Sequence, residues 1–364
     1  MNHEALIDWL LENGGPAIRY RTASELMPHS SNVDIAELRQ KLLRSNSVRT
    51  WLNRFVPFSI FNDIHGSKAT TFENVVGKLT DLGLKRGIAE FDQQIIPFCK
   101  WLEENSDRPP THIFDWFART LIAAFLARSG YGNESAVGQV LKTRLDTIYN
   151  FTRKQRFDIY VSPEGYPQIP SSFKNRPLIN PELSIDGNLC LPWIYDIFGF
   201  AAYLAEHGNE DDLMKADTII NYILNKQYQR LPEGYGILIG DNRRYYAMGW
   251  SVHLPGFIDK PSEDVNIQHL QPWILGAFIQ RLCLLGQFPI ARHHPWFINS
   301  LKHLEGFQTE KGTYLFPRLY LPEKANGIWV IGARTGLEEN RKTNLAIELE
   351  STFWMVKLHT LSAT

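Results

Sequence analysis

Amphipathic helical periodicity recurs from one end of this 364-residue chain to the other, and no strand pattern in it is long enough to found a large sheet. In "THIFDWFARTLIAAFLARSGYG", Phe114, Phe117, Leu121 and Phe125 fall at three- and four-residue intervals, with Thr111 placed to cap the start and Gly130 the end. "DDLMKADTIINYILNKQYQR" repeats the pattern through Leu213, Ala216, Ile220 and Ile223, with acids in its first turn and Lys226 and Arg230 at its end, as the helix dipole favours. "LPWIYDIFGFAAYLAEHG", "QPWILGAFIQRLCLLG" and "NLAIELESTFWMVKLHTL" are apolar over more than one face, which predicts inner helices buried on two sides.

Strand signals are short and local. "FDIYVSPEGYPQIP" reads as a hairpin turning at Pro163 to Gly165, and "YGILIGDNRRYYAMGW" as one turning at Gly240 to Asn242. "GTYLFPRLYLP" with "GIWVIGAR" makes a third candidate. The expectation is an all-α architecture with a few short β-hairpins. No fixed sequence period marks a solenoid, so the helices are expected to pair and close into an α/α toroid of inner and outer helices. The Pro-rich stretch "SPEGYPQIPSSFKNRPLINPEL" is threaded with aromatic and apolar residues and reads as an ordered crossover, so residues 1–364 are expected to form one domain.

Composition narrows the function classes. Hydrophobic residues make up 44% of the chain and charged ones 21%, as in a globular protein. The net charge is −1 and basic residues form no long run, which argues against nucleic acid as a partner. Three widely spaced cysteines, Cys99, Cys190 and Cys283, fit core positions in a reducing compartment. "MNHEALIDWLLENGG" lacks a basic leader and a cleavage site, and no apolar run is long enough to cross a bilayer, so a cytoplasmic protein without a membrane span is expected. Oligomeric state is not encoded in any of these features.

The segment "NGGPAIRYRTASELM" resembles an opening found in bacterial proteins of the terpenoid cyclase and protein prenyltransferase superfamily, whose fold is an α/α toroid. Gly14 and Gly15 would end one helix, Pro16 would open the next, and Ile18, Ala23 and Leu26 would face inward, with Arg19 and Arg21 facing out or bridging to neighbouring acids. "NDIHGSKATTFENVVGKLTDLGL" and "DGNLCLPWIYDIFGFAAYLAEHG" are similar to stretches in uncharacterised bacterial members of that fold. The Asp-x-Asp-Asp motif that protonates substrate in class II cyclases is absent; "NEDDLMKAD" sits at a helix start, where acids serve the dipole. The zinc set of the prenyltransferases is not reproduced either, since Asp186 and Cys190 have the wrong spacing and His269 supplies one ligand of three. His293, His294 and His303 lack the spacing of a helical zinc motif, so neither a metal nor a cofactor is expected.

Candidate site residues cluster in a few loops. In "GDNRRYYAMGWSVHLPGF" a short strand is expected from Arg243 to Ala247, whose alternation puts Arg243 with Tyr245 on one face and Arg244 with Tyr246 on the other. One pair would give an arginine fork for a carboxylate or phosphate; the bland reading is an Arg-Tyr stack on a surface hairpin. Trp250 and His253 follow, His253 being either an acid–base group or a hydrogen-bonded core histidine. "LSIDGNLCLPWIYDIFGF" places Asp186 and Asn188 before an inner helix and Trp193 and Asp196 within it, with Asp186 as general acid or helix cap. His65, near Glu73 and Asn74, and His269 with Gln271 and Trp273 complete the set; helix capping accounts for Glu73.

Two functions compete on this reading. One is a small-molecule enzyme using the central cavity of the toroid for cyclase- or lyase-type acid–base chemistry, with Asp186, Asp241 and His253 as catalytic groups and aromatic walls suited to an isoprenoid. A variant of it acts on glycans or uronides. The other is a non-catalytic binding or scaffold toroid, since a fold outlives its chemistry.

Overall fold

The computed structural model describes residues 2–27, 33–55, 63–240, 243–260 and 275–363. It is mainly helical with a few short strands. The chain divides into two compact units, one formed by residues 1–94 with 255–364 and the other by residues 95–254.

In the 95–254 unit, four helices pack as neighbours: Asp115–Leu126, Ser135–Thr152, Ile194–His207 and Glu210–Ile223. The third is buried along most of its length, as its two-sided apolar sequence predicts, and the first, whose pattern reads as amphipathic, is buried as widely. The start of Asp115–Leu126 is capped in the reverse sense from the expectation: Asp115 Oδ2 accepts from the Thr111 and His112 backbone N–H groups. The helix runs on into a π turn, Ala127–Tyr131, which absorbs Gly130 at φ +89°. Along Glu210–Ile223 the buried stripe is Ala216, Ile219, Ile220 and Ile223, whereas Leu213 is exposed and Asp212 is buried. Asp212 takes the inward place because Lys142 Nζ lies 2.7 Å from its Oδ1 and Tyr203 donates to its Oδ2.

The unit's larger sheet has the order β1-β2-β5-β6, with β1 Tyr160–Val161, β2 Leu178–Ile179, β5 Gly236–Ile239 and β6 Tyr245–Met248. β5 and β6 form the expected antiparallel hairpin, in the register Ile239 opposite Tyr245. The other expected hairpin does not close locally. β1 pairs antiparallel with β2, and β2 runs parallel to β5, so the Pro-rich stretch returns to the sheet as an ordered crossover. β3 Ser184–Ile185 and β4 Asn188–Leu189 make a second, two-stranded ribbon.

In the unit of residues 1–94 and 255–364, Gly14 ends the helix His3–Asn13 and Pro16 opens Pro16–Arg21, with Ile18, Ala23 and Leu26 buried. Arg21 is buried too. It forms an ion pair with Glu25, 2.6 Å away, donates to the Asp81 carbonyl and lies over the rings of Phe353 and Trp354. Glu25 also meets Lys357, and these two cations hold its carboxyl well below the usual range against the opposing effect of burial. The long helix Asn344–Ala363 packs against His3–Asn13 and against Phe278–Leu285, and is buried on several faces as its composition predicts. The third hairpin candidate is not one: its segments hold short 3-10 turns, Arg318–Tyr320 and Trp329–Ile331, and isolated bridges such as Glu323 with Arg334.

Every residue of the helix Phe72–Asp81 is buried, polar ones included. Gly77 lets it approach residues 322–337 closely, since a Cβ there would stand 2.6 Å from the Trp329 ring. Trp329 cannot yield, because its Nε1 donates to Asp81 Oδ2 at 2.6 Å and its backbone N–H to Asn74 Oδ1. Gly→Ala inside a helix ordinarily stabilises by about 1 kcal/mol. Here Gly77→Ala is expected to destabilise instead, by about 1–3 kcal/mol from overpacking, measured as a fall in the denaturation midpoint at unchanged slope.

Candidate functional site

The residues singled out around the Ile194–His207 helix come together on a partner that the sequence did not announce. Arg144, fully buried on the Ser135–Thr152 helix, binds Asp196 through two nitrogens, Nε to Oδ1 at 2.8 Å and Nη2 to Oδ2 at 2.7 Å. Its Nη1 donates to Asn188 Oδ1 and to the Leu189 carbonyl, and its guanidinium lies 4.3 Å from the Trp193 ring centroid. Asp196 Oδ2 also accepts the Trp193 backbone N–H, the capping role expected of an acid in a first helical turn. Asn188, Trp193 and Asp196 are thus one buried, hydrogen-bonded cluster. Asp186 stands apart from it, exposed at the β3–β4 turn with φ +50°, where a short polar residue tolerates the left-handed conformation.

Trp250 and His253 are tied to the same region. The Trp250 carbonyl accepts from the Ile194 backbone N–H at 2.8 Å, and its ring packs on Tyr195. His253 Nδ1 pairs with Ser251 Oγ and its Nε2 with the Leu231 carbonyl, both at 2.8 Å, while the ring stacks on Tyr228. Tyr228 and Tyr235 share a hydroxyl–hydroxyl hydrogen bond, the Val252 N–H donates into it, and Tyr235 passes it on to the Pro192 carbonyl. The aromatic wealth of this stretch is spent on satisfying one another's polar tips in a dry interior.

Strand β6 begins at Tyr245, two residues later than the alternation argument places it, because Arg243 has φ +55° and belongs to the turn. Arg243 and Arg244 are both exposed. Tyr245 is buried against Leu178 and Ile237 and donates to the Pro167 carbonyl, and Tyr246 packs edge-on against Phe114 and His112. Asp241, His269 and Trp273 lie outside the described residues.

In the other unit, His65 has a different setting. Its Nδ1 lies 3.0 Å from Oε2 of Glu73, a carboxylate whose side chain is wholly buried, while the imidazole keeps 24% of its surface exposed. A carboxylate only accepts, so the His65 Nδ1–H donates to Glu73. The loop that bears His65 is fixed from several sides. Glu73 N–H donates to the Ile64 carbonyl, and Thr71 Oγ1 and Asn74 Nδ2 both donate to the carbonyls of Gly66 and Lys68. Arg334 Nη2 donates to Ser67. Glu73 therefore does more than open a helix: its position eight residues after His65 matters only once the loop folds back on the first helical turn.

Beyond Glu73 the Phe72–Asp81 helix carries Lys78, which pairs with Glu323 at 2.7 Å and donates to the carbonyls of Arg334 and Gly336. Arg334, almost wholly buried, spans the carbonyls of Ser67, Ala325 and Gly327 and lies 5.0 Å from the centroid of Trp51. No group of three or more His, Cys, Asp or Glu side chains suited to a metal occurs among the described residues. No helix among them is long and apolar enough to cross a membrane. No protein-family model, curated protein or solved structure matches the chain.

His294 is used structurally: its Nδ1 accepts the Trp296 backbone N–H at the start of the helix Pro295–Glu305, and its ring stacks on Phe257. Burial lowers its pKa, with Asp259 opposing. The folded state thus binds fewer protons than the unfolded one, and stability should fall as pH drops through the ordinary histidine range near 6.5. His294→Asn, which keeps the cap, should show a smaller loss of denaturation midpoint between about pH 7.5 and 5.5 than wild type. Asp196→Ala, which strands the buried Arg144, is expected to cost about 3–5 kcal/mol. Asp186→Asn, which keeps a short polar side chain at φ +50°, should stay within about 0.5 kcal/mol, both read by chemical denaturation.

Proposed function

We propose that the protein is a small-molecule enzyme working by proton transfer, with His65 as the acid–base group and Glu73 as the carboxylate that orients it. One observation carries this reading: a partly exposed imidazole held at Nδ1 by a wholly buried carboxylate, in a loop whose carbonyls are clamped by Thr71, Asn74 and Arg334. An acid–base histidine requires a ring oriented by a fixed acceptor and open in part to the surface, and His65 has 24% of its side chain exposed. Cyclase- or lyase-type chemistry on a small-molecule substrate is the corresponding reaction class. The α/α-toroid arrangement, the superfamily relation and a cytoplasmic setting belong to the same proposal; helices that pack side by side inside the 95–254 unit support the first of them.

Asp196 and His253 are less suited to the role. Asp196 is closed off by Arg144, and both ring nitrogens of His253 already bond inside the protein.

The test uses the conservative variant His65→Asn, whose side-chain amide keeps a donor for Glu73. Wild type and variant are incubated with isoprenoid diphosphates and with unsaturated uronides, and products are followed by mass spectrometry. Conversion of one class, reduced about 10²–10⁴-fold in His65→Asn at unchanged thermal stability, is expected. Absence of conversion by the wild type, or a variant as active as it, overturns the assignment in favour of a binding protein.

A further inference from the structure

We propose that Arg54 and Arg334 together receive an anionic group of the substrate, a carboxylate or a phosphate, at Trp51 beside the His65 loop. The inference rests on the reading of His65 as the reacting group and adds the substrate's chemical class to it.

Both guanidinium groups converge on one indole. Arg54 Cζ lies 4.0 Å and Arg334 Cζ 5.0 Å from the centroid of the Trp51 ring, and Trp51 itself is buried. Arg334 is aimed by its neighbours. Its Nε and Nη2 are taken by the carbonyls of Gly327, Ala325 and Ser67, whereas its Nη1 has no hydrogen-bond partner among the described residues. The side chain of half-buried Arg54 makes no hydrogen bond among them either; its backbone N–H donates to the Trp51 carbonyl. One guanidinium is thus locked with a nitrogen to spare, and a second lies over the same indole.

This arrangement has an electrostatic cost. Burial disfavours the charge on Arg334 most, the neighbouring charge of Arg54 disfavours it further, and Glu323 and Glu73 act in the opposite sense. Two cations crowded on one indole, with N–H donors left over, gain most from an anion that accepts from both. The link to the proton-transfer group is short, because Arg334 binds the carbonyl of Ser67, two residues from His65, and feels the charge of Glu73, the partner of His65. An anion on the two arginines would anchor a substrate whose reactive carbon lies toward the imidazole.

The experiment is calorimetric titration of the full chain with pyrophosphate and, separately, with glucuronate. The two arms distinguish a phosphate from a carboxylate, and the readout needs no turnover. Saturable binding of at least one anion is expected, weakened about 10- to 100-fold by Arg54→Ala, partly restored in Arg54→Lys, and changed less than about twofold by His65→Asn. Arg54→Ala removes no hydrogen bond seen among the described residues, so its thermal stability should match wild type and a loss of binding cannot be charged to unfolding. Failure of both anions to bind, or an Arg54→Ala protein that binds as wild type does, overturns the proposal. Anion binding by a wild type that converts neither substrate class would instead count against the His65 reading alone.

Discussion

A helix buried on every side can carry polar residues only if each finds a partner, and Phe72–Asp81 carries Glu73, Asn74, Lys78 and Asp81. Residues 323–336 supply most of those partners. Glu323 neutralises Lys78, the Trp329 indole satisfies Asp81, and the Trp329 backbone N–H satisfies Asn74. The arrangement is reciprocal, because the same contacts fix where Trp329 and Arg334 stand. Arg334 in turn holds the Ser67 carbonyl, and Asn74 holds Gly66 and Lys68, so the loop bearing His65 is set by the polar demands of the helix behind it. The far end of the 323–336 segment is anchored by Glu350, wholly buried, which accepts from Arg341 and from the Leu337 and Glu338 backbone N–H groups. Truncating any one of these groups leaves an uncompensated polar atom in the interior, which makes the network cooperative.

The 95–254 unit solves a related problem with one guanidinium. Arg144 is wholly buried and gives its N–H groups to Asp196, Asn188 and the carbonyls of Leu189 and Leu191, with Trp193 against its face. It thereby joins the β3–β4 ribbon to the start of the Ile194–His207 helix. Tyr228 and Tyr235 extend the polar chain from Val252 to Pro192, and the carbonyl of Trp250 caps the same helix. Within residues 245–253 the Tyr245 hydroxyl and both nitrogens of His253 find partners inside the protein, while Tyr246 and Trp250 pack on neighbouring rings.

How far the sequence is legible follows the range of the interaction that decides each feature. Helix starts and stops at Gly14, Pro16 and Asn209, the inner character of the Ile194–His207 and Asn344–Ala363 helices, and the β5–β6 hairpin are set by neighbours within a few residues, and the pattern shows them. The pairing of β1 with β2 is not, because the choice is made across an intervening crossover. Leu213 and Asp212 exchange their expected places for the same reason: Lys142, seventy positions upstream, makes burial of the acid affordable. The grouping of Asn188, Trp193, Asp196 and Trp250 in one place is legible from their shared helix start and loop. Their common partner Arg144 is not, since an arginine in a regular helical pattern gives no sign of facing inward.

His65 and His253 differ in how their loops are held, and the proposed role of His65 draws on that difference. Both have an oxygen partner on Nδ1, and in an amino-acid sequence both stand in loops near aromatic or polar residues. The second nitrogen of His253 goes to the Leu231 carbonyl and its face goes to Tyr228, so moving a proton there would break a contact that holds two loops together. For His65, the buried carboxylate fixes Nδ1, and the loop is also held by groups other than the ring: Thr71, Asn74 and Arg334 bind its backbone carbonyls. Changing the protonation of such a ring leaves the loop's supports in place. Under the proposed function, the scaffold that orients the histidine is built from the same hydrogen bonds that let Phe72–Asp81 be buried.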